Sequence, residues 1–137
     1  MLNEFISIFY SKIVISAFLS WLIAQVIKAI TSIRKKEKIL FFGYGNMPSS
    51  HISTMSALSF SIFLYDGAST PFIISSVLTL LIIRDATGSR REIGKQAKIL
   101  NKILEKKTLK ESTGHSYPEV IVGAIIGILI SILVYLF

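Results

Sequence analysis

The chain has 137 residues, no cysteine, only two histidines and a net charge of +7, with 52% hydrophobic and 17% charged residues. That balance is too apolar for an ordinary soluble domain of this length, and it excludes disulfide frameworks, thiol nucleophiles and cysteine-ligated zinc. Two histidines also exclude a histidine-rich metal site, so neither a metal nor a cofactor is expected.

The apolar residues come in blocks and not in stripes, and a chain this short cannot bury several all-round apolar helices against itself. The expected class is an all-α integral membrane protein: a single membrane domain over 1–137, with about four transmembrane helices and one basic amphipathic helix on the cytoplasmic side.

The first apolar block, 5–30, is long enough to span with some tilt. It lacks a basic leading region and reaches Lys28 without a small-residue cleavage site, so it reads as a retained span and not a signal peptide. A basic run closes it, and Gly43-Tyr44-Gly45-Asn46-Met47-Pro48 reads as a loop. The second block, 48–64, is short and rich in serine. Asp66-Gly67 and Pro71 mark a tight turn into the third block, 71–84, so these two form a helical hairpin. Beyond it the character changes. Ile93, Ala97, Leu100 and Leu104 recur at intervals of four, three and four, predicting a basic amphipathic helix over about 89–107 that lies on the membrane surface or packs beneath the spans. The last span, 118–137, carries Gly123-Ala124-Ile125-Ile126-Gly127, a small-xxx-small spacing suited to close packing within the chain or to a homo-oligomer.

Charge sets the expected topology. Residues 28–38 hold five Lys and Arg, residues 84–110 hold nine, and Lys12 is the only other. With four spans both rich segments fall on one side, which the positive-inside rule makes cytoplasmic, with both termini outside. The localisation expected is a bacterial plasma membrane. Nucleic acid is not an expected partner, because the basic residues flank apolar spans and lack interleaved aromatics; anionic lipid headgroups are.

His51 opens the second span just after Pro48-Ser49-Ser50, and His115 precedes the fourth in Gly114-His115-Ser116-Tyr117-Pro118-Glu119. Both fall on the basic side beside helix N-termini, where free N–H groups and the helix dipole favour anions. Ser116 and Glu119 also fit a capping box followed by an early proline, which accounts for that segment without chemistry. Each histidine alone reads as an interfacial polar residue; the two together, with Glu119 and the basic cluster, read as a phosphate site.

Pro48-Ser49-Ser50-His51 followed by His115-x-x-x-Glu119 resembles the type 2 phosphatidic acid phosphatase and vanadium haloperoxidase superfamily. Adding Asp85-Ala86-Thr87-Gly88-Ser89-Arg90-Arg91, the chain is similar to a small divergent branch of it, the acid-phosphatase/haloperoxidase-related membrane proteins. The resemblance implies that His115 attacks phosphorus, Glu119 orients it, and His51 protonates the leaving oxygen. It implies that Ser49 and Ser50 help bind phosphate; Lys28, Arg90, Arg91 and Lys95 are the candidates for the neutralising charge. The implied activity is phosphatase action on a phosphorylated membrane lipid. The alternatives are a non-catalytic binder or transporter of such a lipid and a structural membrane oligomer. The chain departs from the superfamily pattern at Ser50, where glycine is usual, at Glu119, where aspartate is usual, and at Leu109, where an arginine is expected. The superfamily's lysine-x6-arginine-proline motif and its six-helix core are also missing.

Overall fold

The computed structural model describes residues 11–34, 47–111 and 114–137. These form helices α1 (Lys12–Arg34), α2 (Ser50–Asp66), α3 (Thr70–Arg84), a π-helical turn (Asp85–Ser89), α4 (Arg90–Ile103) and α5 (Tyr117–Leu136). The basic run and glycine loop expected after the first span lie largely outside the described residues, as do residues 5–10 of that span.

The bundle is built around α2, which packs on α1, α3 and α5. Lys12–Arg34, Tyr117–Leu136 and the continuous helix Thr70–Ile103 are long and apolar enough to cross a membrane. Among the described residues three helices are thus long and apolar enough to span, against the about four expected, and the second block forms the shorter helix α2. At 17 residues α2 rises about 25 Å against a hydrocarbon core of about 30 Å. Its position explains the short, serine-rich sequence, since neighbouring helices and not lipid cover much of its surface.

The polarity of the bundle is inverted accordingly. Ser50, Ser53, Ser56, Ser59 and Ser61 of α2 are buried, whereas Ile73, Val77 and Leu80 of α3 and Ile121, Ile125 and Leu129 of α5 are exposed. A serine hydroxyl can face another helix in apolar surroundings only if it is hydrogen-bonded. Ser61 donates to Ser131 at 3.0 Å, Ser75 donates to Ser59 at 3.2 Å, and Ser131 donates to the Ala57 carbonyl at 2.9 Å. Small side chains let the backbones approach, and the hydroxyls then bridge them.

Gly123 and Gly127 serve the same close approach. A Cβ at Gly123 would stand 2.7 Å from the Ser49 carbonyl oxygen, and one at Gly127 would overlap the Ser53 carbonyl. The small-xxx-small spacing is thus used within the chain, between α5 and α2.

The basic helix differs from expectation in two respects. It does not start afresh after the third span: the π turn, with Arg90 N–H bonded to the Asp85 carbonyl, joins α3 to α4 as one helix. Its buried strip is Gly94, Ala97 and Asn101, while Ile93, Leu100 and Leu104 are exposed. The cause is Asn101. Its Nδ2 donates to the Leu109 carbonyl at 2.8 Å and to Glu111 at 2.9 Å, and its Oδ1 accepts from Thr108 N and Leu109 N. One amide holds the returning chain along α4 and leaves the apolar face uncovered by that segment.

Candidate functional site

At one end of the bundle the chain returns from α4 and enters α5 through Gly114-His115-Ser116. Gly114 has φ +63°, and a Cβ there would lie 2.5 Å from the Ala86 carbonyl oxygen. Only glycine takes that backbone freely. The turn lets His115 N donate to Ala86 O at 2.9 Å, so the π turn and the start of α5 are stitched together. Gly114→Ala is expected to cost about 1–2 kcal/mol from the left-handed backbone, with the Ala86 clash in addition. Thermal unfolding followed by the fluorescence of Trp21, the chain's single tryptophan, checks it.

His115 is buried, and its Nδ1 lies 3.0 Å from Glu119 Oε2. The same oxygen accepts Ser116 N at 3.0 Å, closing the capping box. Capping and pairing are therefore not rival readings, because one carboxylate does both. When Nδ1–H donates to Glu119, the lone pair of the ring resides on Nε2, which is the form a nucleophile requires.

The other side chains converge from separate elements. Ser49 caps α2; its backbone N donates to the Glu119 carbonyl at 3.3 Å. Ser49 is fully buried, and its Oγ has no hydrogen-bond partner among the described residues. A buried hydroxyl without a partner is costly unless something occupies its acceptor or donor position. Ser50 is buried beside it at the first residue of α2. His51 is exposed, and Arg90, His115 and Lys28 are the charged or titratable groups whose fields act on it. Lys28 is buried on α1, within electrostatic reach of Glu119. Thr31, one turn further on, donates to the Met47 carbonyl at 3.0 Å and ties α1 to the entry of α2.

Not every candidate joins the cluster on equal terms. The Arg90 Nε is held by Asp85 Oδ2 at 2.5 Å, which keeps its guanidinium at the π turn beside His51. The Arg91 side chain is exposed, while its backbone abuts Gly114. Lys95 is engaged by Glu92 at 2.7 Å on an exposed face of α4, in an ordinary solvated pair.

Three contributors escape sequence reasoning. Ala86 gives only its carbonyl, Asp85 acts through Arg90, and Gly114 acts through its φ. The first leaves no side-chain signal. All three lie in the stretches 85–91 and 114–119 quoted above, which do not reveal this geometry. Among the described residues no group of three or more His, Asp or Glu is placed to hold a metal ion.

The fold and the site define an all-α integral membrane protein with a buried histidine paired to a half-buried carboxylate and a second histidine gathered at one end of its bundle. The chain belongs to the family described as "Divergent PAP2 family", which it matches over residues 9–130. It is also 34% identical over 149 residues to the "Uncharacterized membrane protein YuiD" of Bacillus subtilis (strain 168), covering 90% of this chain and 94% of that protein. No solved structure matches it.

Proposed function

We propose that the chain is a membrane lipid phosphatase that cleaves a phosphate or diphosphate monoester through a phosphohistidine at the cytoplasmic face. The observation that carries this reading is the 3.0 Å contact between His115 Nδ1 and Glu119, with His51 and Lys28 brought to the same end from other helices.

The chemistry follows from the residues. Nε2 of neutral His115 attacks phosphorus in line; the N–P bond forms as the ester P–O bond breaks, and protonated His51 delivers its proton to the departing oxygen. Glu119 stabilises the positive charge that grows on His115. Water then attacks phosphorus, gives its proton to His51, and the N–P bond breaks to release inorganic phosphate. In this reading Ser49 and the N-terminus of α2 bind phosphoryl oxygens, and Lys28 and Arg90 offset their charge.

The cytoplasmic assignment rests on charge asymmetry. His51, His115, the 28–34 end of α1 and the basic helix α4 fall at one end of the bundle, the end that the positive-inside rule assigns to the cytoplasm. Lys12, whose ammonium lies 5.6 Å from the Tyr135 ring, belongs to the other end.

The test is inorganic phosphate release from a panel of lipid phosphates and diphosphates by detergent-purified protein. Native protein is expected to release it, and His115→Ala and His51→Ala proteins of matched elution profile are not. Equal release by all three would refute the reading. The general-acid role has its own signature. His51→Ala should lose roughly 10²–10⁴-fold on lipid phosphates but far less on an aryl phosphate whose leaving group needs no proton. A uniform loss on both substrates would assign His51 to binding.

A second reading is a binder or carrier of a phosphorylated lipid that does not cleave it. The tie between Arg90 and Asp85 favours it, since a guanidinium already committed to a carboxylate has less charge to give a transition state. Lipid phosphate that stays bound and unhydrolysed, and is lost when Arg90 is neutralised, would select this alternative.

A further inference from the structure

The exposed apolar face of α4 is in phase with the lipid-facing side of α3, and the π turn is what puts it there. Each residue of an α-helix turns the chain by about 100°, and a π turn accommodates one residue more than an α-turn. With that residue discounted, Ile93, Leu100 and Leu104 fall within about 80° of the line through Val77, alongside Leu81. Without it they would follow the opposite side of the helix, the side of buried Ser75. Burial agrees: Ser75 on α3 and Gly94 and Asn101 on α4 lie on one line, whereas Val77, Leu81, Ile93, Leu100 and Leu104 are all exposed. One apolar stripe thus runs from the membrane-facing part of the helix into its basic part.

We propose that this stripe docks α4 onto the anionic leaflet next to α3, with the π turn serving as the phase-setting joint. Two observations select a lipid surface as the occupant. The stripe continues the lipid-facing face of α3, so an outward bend at the π turn, a kind of position where long helices commonly bend, would turn it down onto the headgroup layer. Residues 90–111 carry eight Lys and Arg against three Glu, a net of +5 that repels a second copy and attracts acidic headgroups. Lys95, Lys98 and Lys102 stand off the stripe, where ammonium groups can reach phosphates while the aliphatic side chains insert. Docking would hold Arg90, at the root of α4, at headgroup level. The inference stands whether or not the site is catalytic.

The chain has no cysteine, so single labels can be placed without background. Leu100→Cys on the stripe and Lys98→Cys off it would be spin-labelled in the full-length protein. Each would be reconstituted in nanodiscs of phosphatidylglycerol with phosphatidylcholine, or of phosphatidylcholine alone. In anionic discs the Leu100 label should be several-fold less accessible to a water-soluble nickel chelate than the Lys98 label and more accessible to oxygen. The contrast should shrink in neutral discs. Equal chelate access at both sites in anionic discs would overturn the proposal. So would shielding of Leu100 that ignores lipid charge, which would mean cover by the chain itself. Dipolar broadening between two labelled chains would assign the stripe to a second copy. Ile93→Cys repeats the stripe measurement at a second position, so a local fault at Leu100 cannot decide it.

Discussion

His115→Ala is expected to reduce phosphate release from lipid phosphates by at least about a thousandfold, the scale seen when a covalent nucleophile is removed. The loss should appear in kcat, because the attack on phosphorus has no substitute, while lipid phosphate still binds. Glu119 separates nucleophile from orienter. Glu119→Gln keeps an acceptor for the Nδ1–H and for Ser116 N but loses the negative charge facing the developing imidazolium, so it should fall on the order of a hundredfold while remaining folded. Glu119→Ala also removes the hydrogen bond to the N-cap backbone and should lower the unfolding temperature as well. Single-turnover rates on protein of matched elution profile distinguish these effects. A Glu119→Gln protein as active as the native one would reduce the carboxylate to a helix cap.

Gly127→Leu is expected to be the most damaging change away from the site. Its Cβ would meet the Ser53 carbonyl oxygen and approach Ala57 N at 2.8 Å, both backbone atoms that cannot rotate aside. The two helices must separate, which would also stretch the bond from Ser131 to the Ala57 carbonyl. Overpacking of this kind costs about 2–4 kcal/mol. The measurement is the unfolding temperature in detergent, with Gly88→Ala as control, because a Cβ at Gly88 meets nothing within 4 Å. The control should be near neutral. A Gly127→Leu protein of native stability but altered oligomeric mass would move the small-residue face from intrachain packing to a subunit contact.

The parts of this molecule that were legible in its sequence are those set by hydropathy and short spacing. Apolar blocks near spanning length announced α1, α3 and α5, and the shortness of the second block, 48–64, anticipated α2 at Ser50–Asp66, but its interior position was not legible from its serines. The pairing of His115 with Glu119 was anticipated through the family resemblance, not through helix geometry. His115 precedes the N-cap and is not on the helix; the carboxylate reaches it by folding back over Ser116. The π turn was not legible, because one extra residue in a helical turn has no compositional mark beyond Gly88 and a polar run. That omission carried through α4. A periodicity counted from Ile93 predicted an apolar face correctly but not which strip would be covered, since Asn101 recruits the returning chain through backbone bonds that no hydropathy pattern encodes. Lys95 illustrates the converse, a basic residue near the motif whose charge is met by Glu92, three residues away.

The most direct test of the phosphohistidine proposal is to quench the protein with ³²P-labelled lipid phosphate during turnover and map the label by mass spectrometry. The account predicts an acid-labile, base-stable phosphoryl group on His115, absent from His115→Ala and retained, at a slower rate of formation, in Glu119→Gln. Phosphate release without any label on His115, or label on another residue, would contradict it.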